Sequence, residues 1–176
     1  ARVVPPPGAF LQATAHGQAA LVAAVRAAVG DARRIADLFA GCGTFALPLA
    51  QTAEILAVEG DGAMLAALEA GWRGAPGLRP VQVRTRDLFR TPLEGAELAG
   101  FDAVVIDPPR AGAAAQAAAL AEAGPPRIAS VSCNPATFAR DAATLVTGGY
   151  RLDWTAVVDQ FRWSAHVELA ARFSRD

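Results

Sequence analysis

The feature that most restricts how this chain can fold is a repeated alternation of two kinds of segment. Ile35 to Phe39, Ile55 to Glu59, Val81 to Thr85, Ala103 to Asp107 and Ile128 to Ser132 are short runs of apolar, often β-branched residues. Between them lie helical stretches near Phe45 to Gln51, Gly62 to Trp72, Ala113 to Ala123 and Ala136 to Val146. Runs this short and apolar suit strands buried on both faces, and a strand, a helix and a further strand join as a right-handed crossover. The alternation therefore predicts a doubly wound α/β sheet with parallel strands. A helix from Thr14 to Val29 precedes it, with Leu21, Val22, Val25 and Val29 at helical spacing and Gly30 as a stop.

The end of the chain changes rhythm. Leu152 to Val158 and His166 to Phe173 are strand-like, and the connection Asp159 to Ala165 is too short for a crossover helix, so the two runs pair as an antiparallel hairpin. A parallel sheet closed by such a hairpin resembles the seven-stranded, Rossmann-like sheet of class I S-adenosylmethionine-dependent methyltransferases. At 176 residues the chain is read as one domain. Residues 1–9, with the stretch Pro5-Pro6-Pro7-Gly8, form a linker arm, and residues 10–176 form the domain itself.

Composition narrows the chemistry. All basic residues are arginine, which excludes a lysine-bearing phosphate loop and any lysine Schiff base. A formal net charge of −1 does not advertise nucleic acid; the gathering of Arg79, Arg84, Arg86 and Arg90 reads as a solvated face or as a phosphate-contacting patch. Cys42 and Cys133 stand in unlike contexts, so neither a disulfide framework nor a metal site is expected. No apolar run approaches the roughly 18 residues of a membrane helix. A cytoplasmic monomer without metal is the expectation.

Several strand ends carry polar residues at the edge where open α/β sheets bind ligands. Asp37-Leu38-Phe39-Ala40-Gly41-Cys42-Gly43-Thr44 follows the first strand and leads into a helix; Gly41 and Gly43 let a ligand approach the backbone. Glu59 ends the second strand as a candidate ribose ligand, and Asp87 follows the third as a candidate acceptor for an adenine amino group. Asp107-Pro108-Pro109-Arg110 closes the fourth strand in a stiff turn that fixes the direction of Asp107. The fifth strand ends in Ser132-Cys133-Asn134-Pro135, where Cys133 is either a small buried hydrophobe or the site of chemistry, and Pro135 opens a helix.

Taken in order, Phe10-x-Gln12, Asp37-Leu38-Phe39-x-Gly41-x-Gly43-x-Phe45, Asp107-Pro108-Pro109-Arg110-x-Gly112, Ser132-Cys133-Asn134-Pro135-x-Thr137, Arg140-Asp141, Gly149-Tyr150 and His166-Val167-Glu168 resemble the catalytic domain of the RNA 5-methyluridine methyltransferases. These are the bacterial tRNA and 23S rRNA uracil-C5 enzymes. The resemblance implies Cys133 as nucleophile, Glu168 as base and S-adenosyl-L-methionine as methyl donor. It implies cofactor or base contacts from Gln12, Phe39, Thr44, Glu59, Asp87 and Asp107. RNA is the implied partner, rRNA ahead of tRNA. Thr14 and Thr44 depart from the pattern, standing where the family has asparagine, and the N-terminal RNA-binding domain of full-length members is not in this sequence.

The implied chemistry is coherent. C5 of uracil is a weak nucleophile until a thiolate adds to C6, and the C5 proton must later be taken by a positioned base. Asp107 can accept the uracil N3–H, Gln12 can donate to a uracil carbonyl, and Phe10 can stack on a flipped base. His166 is read as an orienting residue sharing a strand face with Glu168. Two other readings stand beside this one: a methyltransferase acting on a non-RNA target, and a cofactor-binding domain inactive without an RNA-binding partner domain.

Overall fold

A computed structural model of the chain describes residues 1–9, 11–160, 163–164 and 166–176. The expected role of Phe10 lies outside the described residues. The strands are β1 (Arg34–Leu38), β2 (Glu54–Glu59), β3 (Val81–Thr85), β4 (Ala103–Ile106), β5 (Arg127–Ser132), β6 (Arg151–Val158) and β7 (Glu168–Ser174). They form one sheet of seven strands in the order β3-β2-β1-β4-β5-β7-β6. Neighbours from β3 to β5 pair in parallel, while β7 runs antiparallel to both β5 and β6. The doubly wound sheet and its closing hairpin are thus as the sequence predicts.

Helices cover both faces because alternate strand residues point to opposite sides and both sides are apolar. Ile35, Ala103, Val105, Ala129 and Val131 meet Leu21 and Val25 of α1 (Ala15–Val29), the short α2 (Ala46–Leu49), and Leu65 and Leu68 of α3 (Gly62–Arg73). On the other face Val104, Ile106, Ile128 and Phe173 pack with Leu120 of α4 (Ala114–Ala123) and Leu145 of α5 (Pro135–Thr147). Phe173 is wholly buried, and a phenyl ring taken out of water in this way contributes about 2–3 kcal/mol.

Local chemistry sets the helix ends. Thr14, at the position where asparagine was expected, caps α1 by accepting from the Gly17 N–H at 2.9 Å. Asp61 caps α3 through the Ala63 N–H, and Asn134 caps α5 with Pro135 in its first turn. The helix expected over 45–51 shrinks to Ala46–Leu49, because the chain turns at once through Thr52 and Ala53, both bonded back to Leu49, to enter β2. The strand expected from His166 begins instead at Glu168, since Val158 pairs with Glu168 as the last rung of the β6–β7 ladder. His166 therefore sits in the connection, not on a strand face with Glu168.

Candidate active site

The carboxyl ends of β1, β2, β4 and β5 open onto a cavity of about 680 Å³. Its lining includes Gln12, Phe39, Gly41, Thr44, Glu59, Asp87, Asp107, Cys133, His166 and Glu168. Residues scattered from position 12 to position 168 thus meet in one space, beside the point between β1 and β4 where the strand order reverses.

At one end lies the loop after β1. Phe39 takes a left-handed backbone, φ 61°, uncommon for an aromatic residue, and its ring meets Phe89 at 5.3 Å in a tilted pair. Gly41, φ 53°, presents its Cα to open space: a Cβ there would have no atom within 4 Å. Gly43 is different. Expected beside a ligand, it is not part of the lining and faces inward, where a Cβ would come within 2.8 Å of Leu68 Cγ. Its smallness serves the packing of α3 under the loop.

Glu59 organises this end. One carboxylate oxygen accepts from the Gly41 N–H at 3.1 Å and the other from the Asp61 N–H at 3.0 Å. A carboxylate oxygen has two lone pairs, so each keeps one for hydroxyl donors in the cavity. Asp87 is half committed: its Oδ1 accepts from Phe89 and Arg90 N–H groups, which shapes the turn beneath the aromatic pair. The arginine cluster is partly engaged elsewhere. Arg84 and Arg86 both bind Glu97, and Arg86 also donates to the Thr91 and Pro92 carbonyls, so these two brace a loop.

At the other end stand Asp107, Cys133 and Glu168. The pairing Ser132↔Leu169 fixes the register of β5 and β7, and one step beyond it Cys133 stands opposite Glu168. The cysteine's turn is held from its neighbour strand: Asn134 Nδ2 and Thr137 Oγ1 donate to the Arg110 carbonyl at 3.0 and 3.2 Å. Ser132 Oγ accepts from the Asn134 N–H at 3.2 Å and closes the turn. Arg110 thus anchors the turn through its backbone.

The electrostatics are those of an acid-rich, dehydrated pocket. Burial, reinforced by Glu168, pushes Asp107 up to about 7. Burial also raises Glu168, partly offset by the nearby Gln160 amide. The Cys133 thiol is raised by burial and then by Glu168 and Asp107, with Arg110 pulling weakly the other way. Beneath them lies Asp37, which the sequence marked only as part of a loop motif. It is fully buried, and neither carboxyl oxygen makes a hydrogen bond. Desolvation, then the Asp107 charge, pushes it up to about 8; the Ala46 N–H offsets part of this from outside hydrogen-bond geometry. Such unpaired buried acids favour a cation above them.

Two residues escaped the sequence reading. Asp37 stands in its motif with nothing in the sequence to mark a role, because burial without a partner is invisible there. Gln160 carried no signal at all, yet it reaches Gln12 at 2.7 Å. Among the described residues no group of His, Cys, Asp and Glu side chains is arranged to hold a metal ion, and no helix is long and apolar enough to cross a membrane.

Known proteins resemble this arrangement. The chain is 53% identical over 173 residues to an uncharacterized RNA methyltransferase of Rhizobium meliloti, covering 98% of this chain and 42% of that protein. It is 42% identical to the 23S rRNA (uracil(1939)-C(5))-methyltransferase RlmD of Pseudomonas entomophila, covering 95% of this chain and 38% of that protein. The crystal structure of the Pyrococcus abyssi tRNA (uracil-54, C5)-methyltransferase in complex with S-adenosyl-L-homocysteine superimposes with a TM-score of 0.82 at 29% identity, over 95% of this chain and 40% of that one. The chain thus spans about two fifths of the length of these relatives. The model of the tRNA (uracil-5-)-methyltransferase family matches residues 81–175, more than half of the chain, and the chain belongs to that family.

Proposed function

We propose that residues 10–176 are the catalytic domain of an S-adenosylmethionine-dependent RNA (uracil-5-)-methyltransferase that works through a covalent bond between Cys133 and C6 of the target uridine, with residues 1–9 as a linker arm. The observation that carries this reading is the shared cavity in which Cys133, Asp107 and Glu168 stand beside an acid-lined cradle. The substrate class we favour is rRNA, since the relative named for 23S rRNA is 42% identical and the solved structure named for tRNA is 29% identical.

The cradle fits the cofactor. Glu59 keeps lone pairs for ribose hydroxyls, Phe39 and Phe89 offer apolar surface for a purine, and Asp87 retains Oδ2 for its amino group. Thr44 lines the same end, and Gly41 leaves the backbone open. Asp37 and Asp107, unfavourable as bare acids, are matched to a ligand of positive charge. When bound, S-adenosylmethionine supplies an electrophilic methyl group on a sulfonium sulfur.

The remaining work falls to the chain's own side chains. Asp107 accepts the N3–H of uracil, a proton that cytosine lacks at that position, and Gln12 donates to a ring carbonyl. Cys133 Sγ adds to C6, and its proton passes to a neighbouring carboxylate; the groups that raise the thiol's pKa are also acceptors for its proton. Addition pushes electron density to C5. After C5 carries the methyl group, Glu168 takes the C5 hydrogen, the C5–C6 double bond re-forms and Cys133 leaves. A carboxylate raised by burial is the stronger base for that last step.

The test uses RNA in which the target uridine is 5-fluorouridine, whose C5 fluorine cannot be removed as a proton. The protein with S-adenosylmethionine should give a protein–RNA adduct that survives a denaturing gel, and Cys133→Ala should give none and no methylation of ordinary RNA. Methylation retained by Cys133→Ala would overturn the covalent reading.

A further inference from the structure

Gln160 follows β6 directly and belongs to no recognisable motif, yet its side chain is 92% removed from solvent, only 8% remaining exposed. It reaches across 148 positions of sequence to the segment ahead of α1, where its Nε2 donates to Gln12 Oε1 at 2.7 Å. It lies against Gly17 in the first turn of α1: a Cβ there would fall within 2.8 Å of Gln160 Cδ and 2.9 Å of its Cβ. The glycine makes room for the glutamine. Gln160 Oε1 makes no hydrogen bond, a costly state for a buried amide oxygen, so the side chain is held in place by its nitrogen. That nitrogen has two N–H groups. Gln12 takes one, and the same amide stands near enough to Glu168 to lower its pKa, from outside hydrogen-bond geometry.

We propose that Gln160 is the positioning residue of the substrate half of the site, fixing which end of the Gln12 amide faces the cavity. Gln12 lines the cavity with its Oε1 already committed, so the end left for substrate is Nε2, a donor. A donor selects a carbonyl-bearing base edge; a turned amide would present oxygen and select an amino-bearing one. The carbonyl contact assigned to Gln12 thereby depends on a residue that touches no substrate atom. This inference rests on the uridine reading above.

The test uses the full-length protein and its RNA substrate. Gln160→Met keeps the side chain's bulk against Gly17 and removes both donors, while Gly17→Ala keeps the amide and displaces it. Both variants should lower kcat on RNA roughly tenfold or more, as loss of the hydrogen bond that orients a substrate-reading amide would. Both should also move upward the limb of the pH–rate profile on which Glu168 loses its proton. The groups facing Glu168 in that profile are Asp107 from the end of β4, Cys133 from the end of β5 and His166 from its own connection, all unaltered in the variants. A packing role alone predicts that Gln160→Met keeps the wild-type kcat and pH profile, and that result overturns the proposal. An unshifted profile in folded Gly17→Ala overturns it as well. Activity surviving in Cys133→Ala marks a failure of the uridine reading instead, so the two failures are separable.

Discussion

Replacing Asp37 by asparagine should stabilise the ligand-free chain, by an amount that depends on pH in a defined way. Asp37 is fully buried with no hydrogen bond to either oxygen, and its pKa rises from 3.8 to about 8. For an acid raised on folding, the native state binds a proton that the unfolded state has lost at any pH between those values. Stability therefore falls as pH rises through that window and levels off above it. At pH 7 the climb from 3.8 is about three pH units at about 1.4 kcal/mol each, so the penalty is at most about 4 kcal/mol. Asparagine carries no proton and escapes it. Asp107, with its own raised pKa, is present in both proteins, so the difference between the two stability curves reads position 37 together with its coupling to Asp107.

Urea unfolding of both proteins at pH 4, 5.5, 7 and 8.5 provides the assay. The stability difference should be near zero at pH 4 and grow towards a few kcal/mol by pH 7, then flatten. The same substitution should weaken binding of S-adenosylmethionine, because a carboxylate below a cationic ligand has been removed. A difference curve that stays flat from pH 4 to 8.5 would show that Asp37 is not the unpaired buried acid described here.

Three further outcomes follow from the same geometry. Glu168→Gln should let Cys133 add to C6 while blocking loss of the C5 hydrogen, so that covalent protein–RNA adduct accumulates with ordinary uridine RNA on denaturing gels; turnover at the wild-type rate would remove Glu168 from its role. Gly41→Ala places a methyl group in the open cavity at φ 53°, adding about 1–2 kcal/mol of backbone strain, and calorimetry should show S-adenosylhomocysteine binding weakened about tenfold or more. Gln116 is wholly buried and pairs both ways with the Leu93 backbone, at 2.9 and 3.0 Å. Gln116→Ala strands both backbone groups and should cost about 2–4 kcal/mol in urea unfolding, with cofactor affinity unchanged because the clamp lies outside the cavity lining.

Much of this molecule is legible in its sequence. Period and length of the apolar runs decided the strand and helix types, because a strand buried on both faces and a helix with one covered face place different demands on successive residues. The closing hairpin followed from a connection too short for a crossover. Polar residues at strand ends, Glu59, Asp87, Asp107 and Cys133, were legible as candidates for one site because the topology puts all such ends on one edge, and all four line the same cavity. Thr14 and Asn134 behaved as helix caps for local reasons alone. Where local spacing was the only guide, positions slipped. His166 fell off its expected strand since the ladder ended at Val158, and Gly43 turned towards Leu68 instead of the cavity.

What the tertiary structure alone decided is the environment of each group. Asp37 reads like any acid at a strand end until its surroundings show it dry and unpaired, and Cys133 reads like any cysteine until the β5–β7 register brings Glu168 opposite. Gln160 was ordinary until folding laid it on Gly17 with its nitrogen against Gln12. Residue types and periodicities are local properties, so the one-dimensional chain determines them. Desolvation and contact between residues 148 positions apart exist only once the sheet has closed.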